Sequence, residues 1–166
     1  QFDEIKVLIS SYNKMIFEIE NKQNQLISKS VEDEEKRLFI EAILSLLTIG
    51  VISLDKEFNI ILANKTSNTI FKNTRNIKEK INFIEIFPEW EKIFLNFKKS
   101  KKILENFQYE YSLNDDLRNF NIRIIKEIKN EVINGYVVAI DDTTSLILAE
   151  KHAAWSDIAR KIAHEV

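Results

Sequence analysis

A histidine and a glutamate stand side by side near the end of the chain, at His164 and Glu165. A histidine side chain titrates near neutrality, and its neutral imidazole offers a ring nitrogen whose lone pair can attack a phosphoryl group. Residues 145–166 predict an amphipathic helix with an apolar seam of Leu148, Trp155, Ile158 and Ile162. His164 follows Ile162 by about 200° around this helix, so we expect its imidazole to face solvent.

A histidine on a helix surface is most often only a solvated side chain, and we interpret His152 in this way because no motif surrounds it. The surroundings of His164 favour a functional role. Asp142, at the end of a strand-like run, precedes His164 by 22 residues of helical pattern. Glu165 points about 100° away from its neighbour, so direct contact between the two side chains requires rotamer reach or a helix distortion.

The composition limits the class of protein. The chain has 166 residues, 45% of them hydrophobic, and a formal net charge of −2, which predicts one globular domain with additional long helix and argues against a general nucleic-acid binder. The absence of cysteine excludes disulfides and cysteine-ligated metals. The longest apolar run spans 13 residues, 42–54, whereas a membrane span needs roughly 20. Because the chain starts with Gln1 and ends inside a helical pattern, we expect it to be a piece of a longer protein.

The first part of the chain predicts a coiled coil. Apolar residues alternate at spacings of three and four, with Lys22 as an exception, at Ile5, Leu8, Tyr12, Met15, Ile19 and Leu26, and again at Ile40, Ile43 and Leu47. A parallel dimer is the simplest partner for this seam. Residues 28–36 between the two parts are polar and acidic, which indicates a solvated face rather than a metal site. Ser30, followed three residues later by Asp33, resembles an N-cap, so we expect a new helix to begin there.

The periodicity changes from helix to strand after Leu47. Residues 50–55 and 59–64 predict two paired strands, followed by a short helix and by a second helix that starts at Pro88. Alternating apolar residues predict two further strands, around 107–113 and 120–124, and Asn134-Gly135 predicts the hairpin turn before a last strand. The predicted fold class is α+β, with a five-stranded antiparallel sheet, small helices, and a long coiled-coil helix at each end.

This order of elements resembles a PAS domain. Residues 38–44 and 50–55 are similar to the helix and first strand of that family, and the second strand ends in its usual asparagine, Asn64. Asp142-Thr143-Thr144 stands where PAS domains carry Asp-Ile-Thr, so Asp142 and Thr144 are expected to form the signal junction and to cap the outgoing helix. Residues 3–8 are similar to the start of the second helix of a HAMP linker.

The last residues, 159–166, read Ala-Arg-Lys-Ile-Ala-His-Glu-Val and resemble the phosphoacceptor box of sensor histidine kinases. Residues 154–165 are especially similar to the nitrogen-regulation kinases of the NtrY type. The resemblance implies that His164 is the phosphoacceptor and that Glu165 is a candidate general base. It also implies a HAMP second helix and coiled-coil connector over 1–29, a PAS domain over 30–144, and a signalling helix with the start of the dimerisation and phosphotransfer domain over 145–166.

The same resemblance implies a function and a set of partners. The chain is expected to be the cytoplasmic sensor and signal-transmission segment of an inner-membrane kinase, with membrane contact only through a part that precedes it. We expect a homodimer through parallel helices, an NtrX-like response regulator that receives phosphate from His164, and no nucleic acid. ATP and Mg²⁺ would be bound by the ATP-binding domain of the longer protein, because this chain lacks glycine-rich nucleotide motifs and should be inactive alone.

What the PAS-like domain senses is open. No histidine or cysteine occurs between Arg37 and Ile140, so the usual axial haem ligands and the flavin-adduct thiol are absent, which argues against haem and flavin. No metal site is predicted either. Two interpretations stay open, a small ligand pocket or a filled core, for the apolar residues Ile52, Leu62, Phe71, Phe83 and Phe87. The alternative function is a PAS ligand-binding or dimerisation module that feeds a non-kinase output, such as a cyclase or a chemoreceptor.

Overall fold

A computed structural model describes residues 1–71 and 74–166 of the chain. It forms two compact units, Gln1–Ile43 and Leu44–Val166. The first unit is a single helix, α1 (Phe2–Leu46), whose last residues, from Leu44 on, belong to the second unit. Along α1 no residue is buried in the single chain. Within the described residues, no helix combines the length and the apolarity that a bilayer crossing requires.

The predicted helix start at Ser30 is wrong, because α1 continues through residues 28–36 without interruption. Lys36 Nζ lies 2.6 Å from Glu32 Oε1, and Arg37 Nη2 lies 2.6 Å from Glu34 Oε1. Opposite charges three or four residues apart stabilise a helix, and Glu, Lys and Arg are good helix formers. The polar run is therefore one exposed face of a continuous helix.

The second unit contains a five-stranded antiparallel sheet with the strand order β2-β1-β5-β4-β3. Its strands are β1 (Gly50–Leu54), β2 (Ile60–Ala63), β3 (Leu104–Leu113), β4 (Asp116–Lys129) and β5 (Val132–Asp142). Its helices are α2 (Lys65–Thr69), α3 (Phe83–Ile86), α4 (Glu91–Lys99), which follows a 3-10 turn at Pro88–Trp90, and α5 (Thr144–Glu165). The predicted α+β class, the five antiparallel strands and the long helices at both ends are confirmed.

The hairpin between β4 and β5 does not turn at the predicted Asn134-Gly135. It turns at Asn130 and Glu131, whose φ values are 51° and 63°. Gly135 lies inside β5, where a Cβ atom would stand 2.3 Å from the carbonyl oxygen of Leu54. Glycine is therefore needed there for the close approach of β1 rather than for a turn conformation.

An aromatic core covers one face of the sheet. The sheet contributes buried residues from alternating positions, namely Ile52, Leu54, Phe120, Ile122, Ile124, Tyr136, Val138 and Ile140. The helical layer contributes Phe83, Phe87, Trp90, Phe94 and Phe97. The rings of Phe87 and Trp90 stack with centroids 4.3 Å apart. Each fully buried side chain of this size stabilises the fold by roughly 1.5–3 kcal/mol, so the domain holds its own core.

Candidate functional site

The junction between β5 and α5 is built around Asp142, the last residue of β5. Its Oδ1 accepts hydrogen bonds from the backbone N–H of Thr144 at 3.0 Å and from Thr144 Oγ1 at 2.5 Å. Its Oδ2 forms an ion pair with the guanidinium of Arg118 on β4. The carboxylate therefore satisfies an N–H group that the start of a helix leaves unpaired, and it ties that start to a neighbouring strand.

Strand β4 also holds the junction through Asn119. The N–H of Thr143 donates to the carbonyl of Asn119 at 2.9 Å, and the N–H of Asn119 donates to Thr144 Oγ1 at 2.9 Å. Burial raises the pKa of Asp142, but the hydrogen bonds from Thr144 and Arg118 outweigh it and hold the pKa below its usual range. Asp142 is therefore a carboxylate at neutral pH, and the first turn of α5 is anchored to two strands.

His164 and Glu165 lie in the last turn of α5, and both are exposed. The helix is continuous from Thr144, so His164 stands about 30 Å along its axis from the junction. No hydrogen bond joins the His164 and Glu165 side chains in the described part of the chain. The imidazole is thus accessible to a reaction partner, and its proposed proton acceptor needs a side-chain rearrangement to reach it.

The apolar seam of α5 is exposed along its whole length. No residue of α5 is buried, and Trp155 keeps 70% of its surface exposed in the single chain. The other seam residues, Leu148, Ile158 and Ile162, are also exposed. An exposed apolar stripe of this length on a helix typically marks an interaction surface.

The structure brings together four of the five residues predicted to line a pocket. Ile52, Phe71, Phe83 and Phe87 belong to the aromatic core, and the Phe87 ring lies 4.7 Å from that of Phe83 and 5.3 Å from that of Phe71. Leu62 lies apart, because it pairs with Ser53 on the opposite face of the sheet. The ring contacts favour the filled-core interpretation, and a ligand pocket stays a prediction.

A polar cluster that the sequence did not reveal lies beside this core. The Arg75 guanidinium donates to the carbonyl of Ile86 at 2.6 Å and to Glu89 Oε1 at 2.8 Å, and it lies over the Phe87 ring at 5.0 Å. The Tyr109 hydroxyl donates to the same Glu89 oxygen at 2.6 Å. Burial and the carboxylate of Glu89 raise the pKa of Tyr109. The cluster links the loop before α3 to strand β3. Its residues are far apart in the sequence and follow no regular spacing, so the sequence could not predict their contact.

A buried lysine is a second feature that sequence reasoning missed. Lys126 is 6% exposed, its Nζ donates to the carbonyl of Ser100 at 2.5 Å and it lies 4.7 Å from the centre of the Phe97 ring. It continues the inward alternation of Phe120, Ile122 and Ile124 on β4, a signal that was present in the sequence. The ammonium satisfies a carbonyl at the end of α4, where a cation is favourable.

The tyrosines of strands β3 and β5 belong to the core or pack against it. Tyr136 is fully buried opposite Lys126, and burial raises its pKa. Tyr109 and Tyr111 pack against the core from β3. In the described ranges, 1–71 and 74–166, no three His, Asp or Glu side chains are grouped to hold a metal ion.

Comparison with known proteins gives one relative along nearly the whole chain. The chain is 28% identical over 165 residues to nitrogen regulation protein NtrY of Azorhizobium caulinodans, an alignment that covers 98% of this chain. It spans only 21% of the length of that relative. No family model matches the chain.

Solved structures identify the fold of the second unit. The PAS domain of a protein from Colwellia psychrerythraea aligns with 67% of this chain and 97% of its own, with a TM-score of 0.52 at 13% identity. The PAS domain of Bordetella pertussis BvgS aligns with 74% of this chain and 98% of its own, with a TM-score of 0.52 at 14% identity. The sheet and its helices therefore have the PAS fold, and the chain as a whole is similar to one segment of nitrogen regulation protein NtrY, as its last helix predicted.

Proposed function

We propose that the chain is the sensor and signal-transmission segment of a two-component sensor histidine kinase of the NtrY nitrogen-regulation type. The similarity to NtrY over 98% of the chain carries this proposal, because an alignment of that extent includes most of α5, the helix on which His164 is exposed. The PAS fold supplies the sensor, and α5 leads from its sheet to the imidazole without a break. The longer protein lies in the inner membrane, with this segment in the cytoplasm.

The proposed segment keeps the domain order expected from the sequence. Residues 1–29 are the second HAMP helix and the connector, 30–144 the PAS domain, and 145–166 the signalling helix and the start of the phosphotransfer domain. The exposed apolar residues of α1 and α5 support pairing of two copies through parallel helices. Pairing along such a seam would bury apolar surface, and each Å² buried would stabilise the pair by roughly 25 cal/mol.

The proposed reaction occurs at the imidazole of His164. One ring nitrogen attacks the γ-phosphorus of ATP in line, the bond to the bridging oxygen breaks, and ADP leaves. Glu165 takes the proton from the other ring nitrogen. ATP and Mg²⁺ come from the ATP-binding domain of the longer protein, and the phosphoryl group then passes to an aspartate of an NtrX-like response regulator. Exposure of His164 supports both transfers.

Transmission to His164 is proposed to run through the Asp142 junction. A change in the packing of the paired α1 helices, or in the PAS core, shifts β5 and with it the anchored first turn of α5. Because α5 is continuous, a small rotation or tilt at Thr144 reaches His164 about 30 Å away. The bistable element is the packing of the two helices, which sets how accessible the imidazole is.

The sensor is proposed to work without haem or flavin. The sequence from Arg37 to Ile140 carries neither histidine nor cysteine, which supports this part of the proposal. Any ligand would be a small apolar molecule that enters among Ile52, Phe71, Phe83 and Phe87, at the cost of opening the packed rings.

Phosphorylation of the full-length protein tests the proposal. The kinase is incubated with ATP labelled at the γ-phosphate, and the acid-labile phosphate is measured in the wild type and in His164→Gln. The matched control is His152→Gln, which changes the other exposed histidine of the same helix.

We expect labelling in the wild type and in His152→Gln, and its loss in His164→Gln. Acid-labile phosphate that persists in His164→Gln overturns the site assignment. Absence of acid-labile phosphate from all three proteins, with ATP bound, overturns the kinase proposal in favour of a PAS module with a non-kinase output.

A further inference from the structure

The side-chain amide of Asn64 uses every hydrogen bond that it can make. Asn64 lies between β2 and α2 and is 5% exposed. Its Oδ1 accepts from the N–H of Val51 at 2.8 Å and from the N–H of Ser67 at 3.0 Å. Its Nδ2 donates to the carbonyl oxygens of Leu44 at 3.2 Å and Ile49 at 2.9 Å. One buried amide therefore connects four separate backbone positions.

One of these bonds acts on the last turn of α1, at Leu44, and another acts on Ile49, three residues after the helix ends. The last carbonyl groups of a helix have no partner within it, and Leu44 is in the last turn of α1. Thr66 supports the same region, because its Oγ1 donates to the carbonyl of Leu47 at 2.7 Å. No basic residue occupies the last turn of α1. The side chains of Asn64 and Thr66, at the connection between β2 and α2, thus bind the carbonyl groups of the segment from Leu44 to Ile49, which we call the exit of α1.

The region held by Asn64 lies next to the junction at the start of α5. Gly50, the first residue of β1, pairs with Ile140 on β5, and β5 ends two residues later at Asp142. A Cβ atom at Gly50 would lie 3.0 Å from Cα of Ser67, so α2 sits closely against the start of β1. The exit of α1 and the start of α5 are therefore attached to adjacent ends of two neighbouring strands.

We propose that Asn64 is a positioning residue that couples the last turn of α1 to the first turn of α5 across the β1–β5 pair. A displacement of the α1 exit pulls on Val51 through the shared amide, and β1 passes it to β5 and to Asp142. The path runs through the backbone pairing of β1 with β5. The signalling meaning of this coupling rests on the proposed function, whereas the coupling itself is a property of this chain.

Hydrogen exchange on the full chain tests the coupling. Asn64→Asp keeps the size of the side chain but replaces the two donors at Nδ2 with an anionic oxygen that faces two carbonyls. Because that oxygen repels the carbonyls of Leu44 and Ile49 and displaces the side chain, the bonds that Oδ1 accepts weaken too, and we expect exchange at least about tenfold faster at the amides of Val51 and Ser67. The amides of Thr144 and Ile147, in the first turn of α5, are expected to become about threefold to tenfold faster, while those in the middle of β3 and β4 stay unchanged.

The matched control is Asn82→Asp. Asn82 also caps a helix, accepting from the N–H of Ile84 at 3.0 Å and donating to the carbonyl of Glu57 at 2.8 Å, but it lies before α3. We expect it to leave the amides of Thr144 and Ile147 unchanged. If Asn64→Asp accelerates only Val51 and Ser67, or if Asn82→Asp has the same effect on α5, the coupling is wrong and Asn64 is a local cap.

A milder variant covers the case in which Asn64→Asp fails to fold. Thr66→Val removes only the hydrogen bond to the carbonyl of Leu47 and should accelerate the α5 amides about twofold to threefold. Unchanged α5 exchange in Thr66→Val, with faster exchange at the end of α1, contradicts the proposal. Neither measurement uses ATP, so its outcome does not depend on phosphorylation of His164.

Discussion

The large aromatic side chains of the PAS core are buried, whereas that of helix α5 is exposed. Phe83 and Phe87 are 0% exposed and surrounded by other rings, whereas Trp155 of α5 is 70% exposed. The core residues obtain their partners from the same domain, through strands and helices that are far apart in sequence. Leu148, Ile158 and Ile162 have no buried position within the single chain. The domain buries its aromatic side chains within itself, whereas the apolar seam of α5 is left exposed in the single chain.

The largest effect is expected in the core. Phe83→Ala removes a ring that contacts Phe87, Trp90 and Phe94 and should lower the free energy of unfolding by about 3–5 kcal/mol. Urea denaturation followed by circular dichroism measures it. The control, Ile61→Ala, truncates an exposed residue of β2 and should cost less than about 0.5 kcal/mol. Equal losses in the two variants would show that the core is not packed as described.

The second-largest effect is expected at the junction between β5 and α5. Asp142→Asn removes the charge that pairs with Arg118 and weakens the hydrogen bonds to Thr144, so we expect a loss of about 2 kcal/mol in unfolding free energy at pH 7. The neighbouring Asp141→Asn, on the other face of β5, is the control and should have little effect.

The pH dependence sharpens this prediction. The pKa of Asp142 is lowered in the folded state, so its stabilisation is present above the unfolded pKa of about 3.9 and is lost as the pH falls through the folded value. The difference between the wild type and Asp142→Asn should therefore narrow below about pH 4. A difference that is constant from pH 7 to pH 3 would mean that the ion pair does not stabilise the junction.

On α5 the expected effect is on association and not on folding of the domain. Trp155→Ala should raise the dissociation constant of the proposed dimer at least about tenfold, because an aromatic anchor leaves the seam. The thermal unfolding of the PAS sheet should not change. Sedimentation equilibrium over a range of concentrations measures the constant, with Arg160→Ala, an exposed residue on the opposite face of the same helix, as the control. An unchanged constant would place the dimer contacts elsewhere.

The smallest effect is expected at the β4–β5 turn. Glu131 has a φ of 63°, a conformation that glycine adopts without steric cost. Glu131→Gly should therefore raise the free energy of unfolding by about 0.5–1 kcal/mol, measured by urea denaturation. Lys129→Gly, in the adjacent strand, should lower it. A loss in Glu131→Gly would show that the turn has another conformation.

The sequence could predict features that depend on local patterns, but not those that depend on contacts between residues far apart in the chain. The alternation of Phe120, Ile122 and Ile124 predicted a half-buried strand, and all three are buried. Ser30 was wrongly predicted to start a helix, because ion pairs stabilise a continuous α1 through this region. Asn134-Gly135 was wrongly predicted to form a turn, because the register of β4 with β5 places both residues inside a strand. Leu62 was assigned to the pocket by its apolar type, although pairing with Ser53 turns it to the other face.

The site shows the same division. The sequence predicted Asp142 and Thr144 from the local chemistry of a strand-to-helix junction, and the Asp142 carboxylate does accept from the N–H of Thr144, although the N-cap residue is Thr143 and has no side-chain cap bond. Their role as the signal junction stays a prediction. Their partners Arg118 and Asn119 were missed, because only the register between β4 and β5 brings residues more than 20 positions apart into contact. The roles of His164 and Glu165 came from resemblance and stay a proposal.

Pairing of two copies in parallel is the claim on which transmission to His164 depends. The chain contains no cysteine, so a single cysteine can report the pairing by disulfide formation. Met15→Cys places a thiol in the predicted seam of α1, and Ser10→Cys places one on the opposite face of the same helix. Under mild oxidation we expect disulfide-linked dimers of Met15→Cys and little linkage of Ser10→Cys. Two monomeric variants, or equal linkage of both, would contradict the parallel seam.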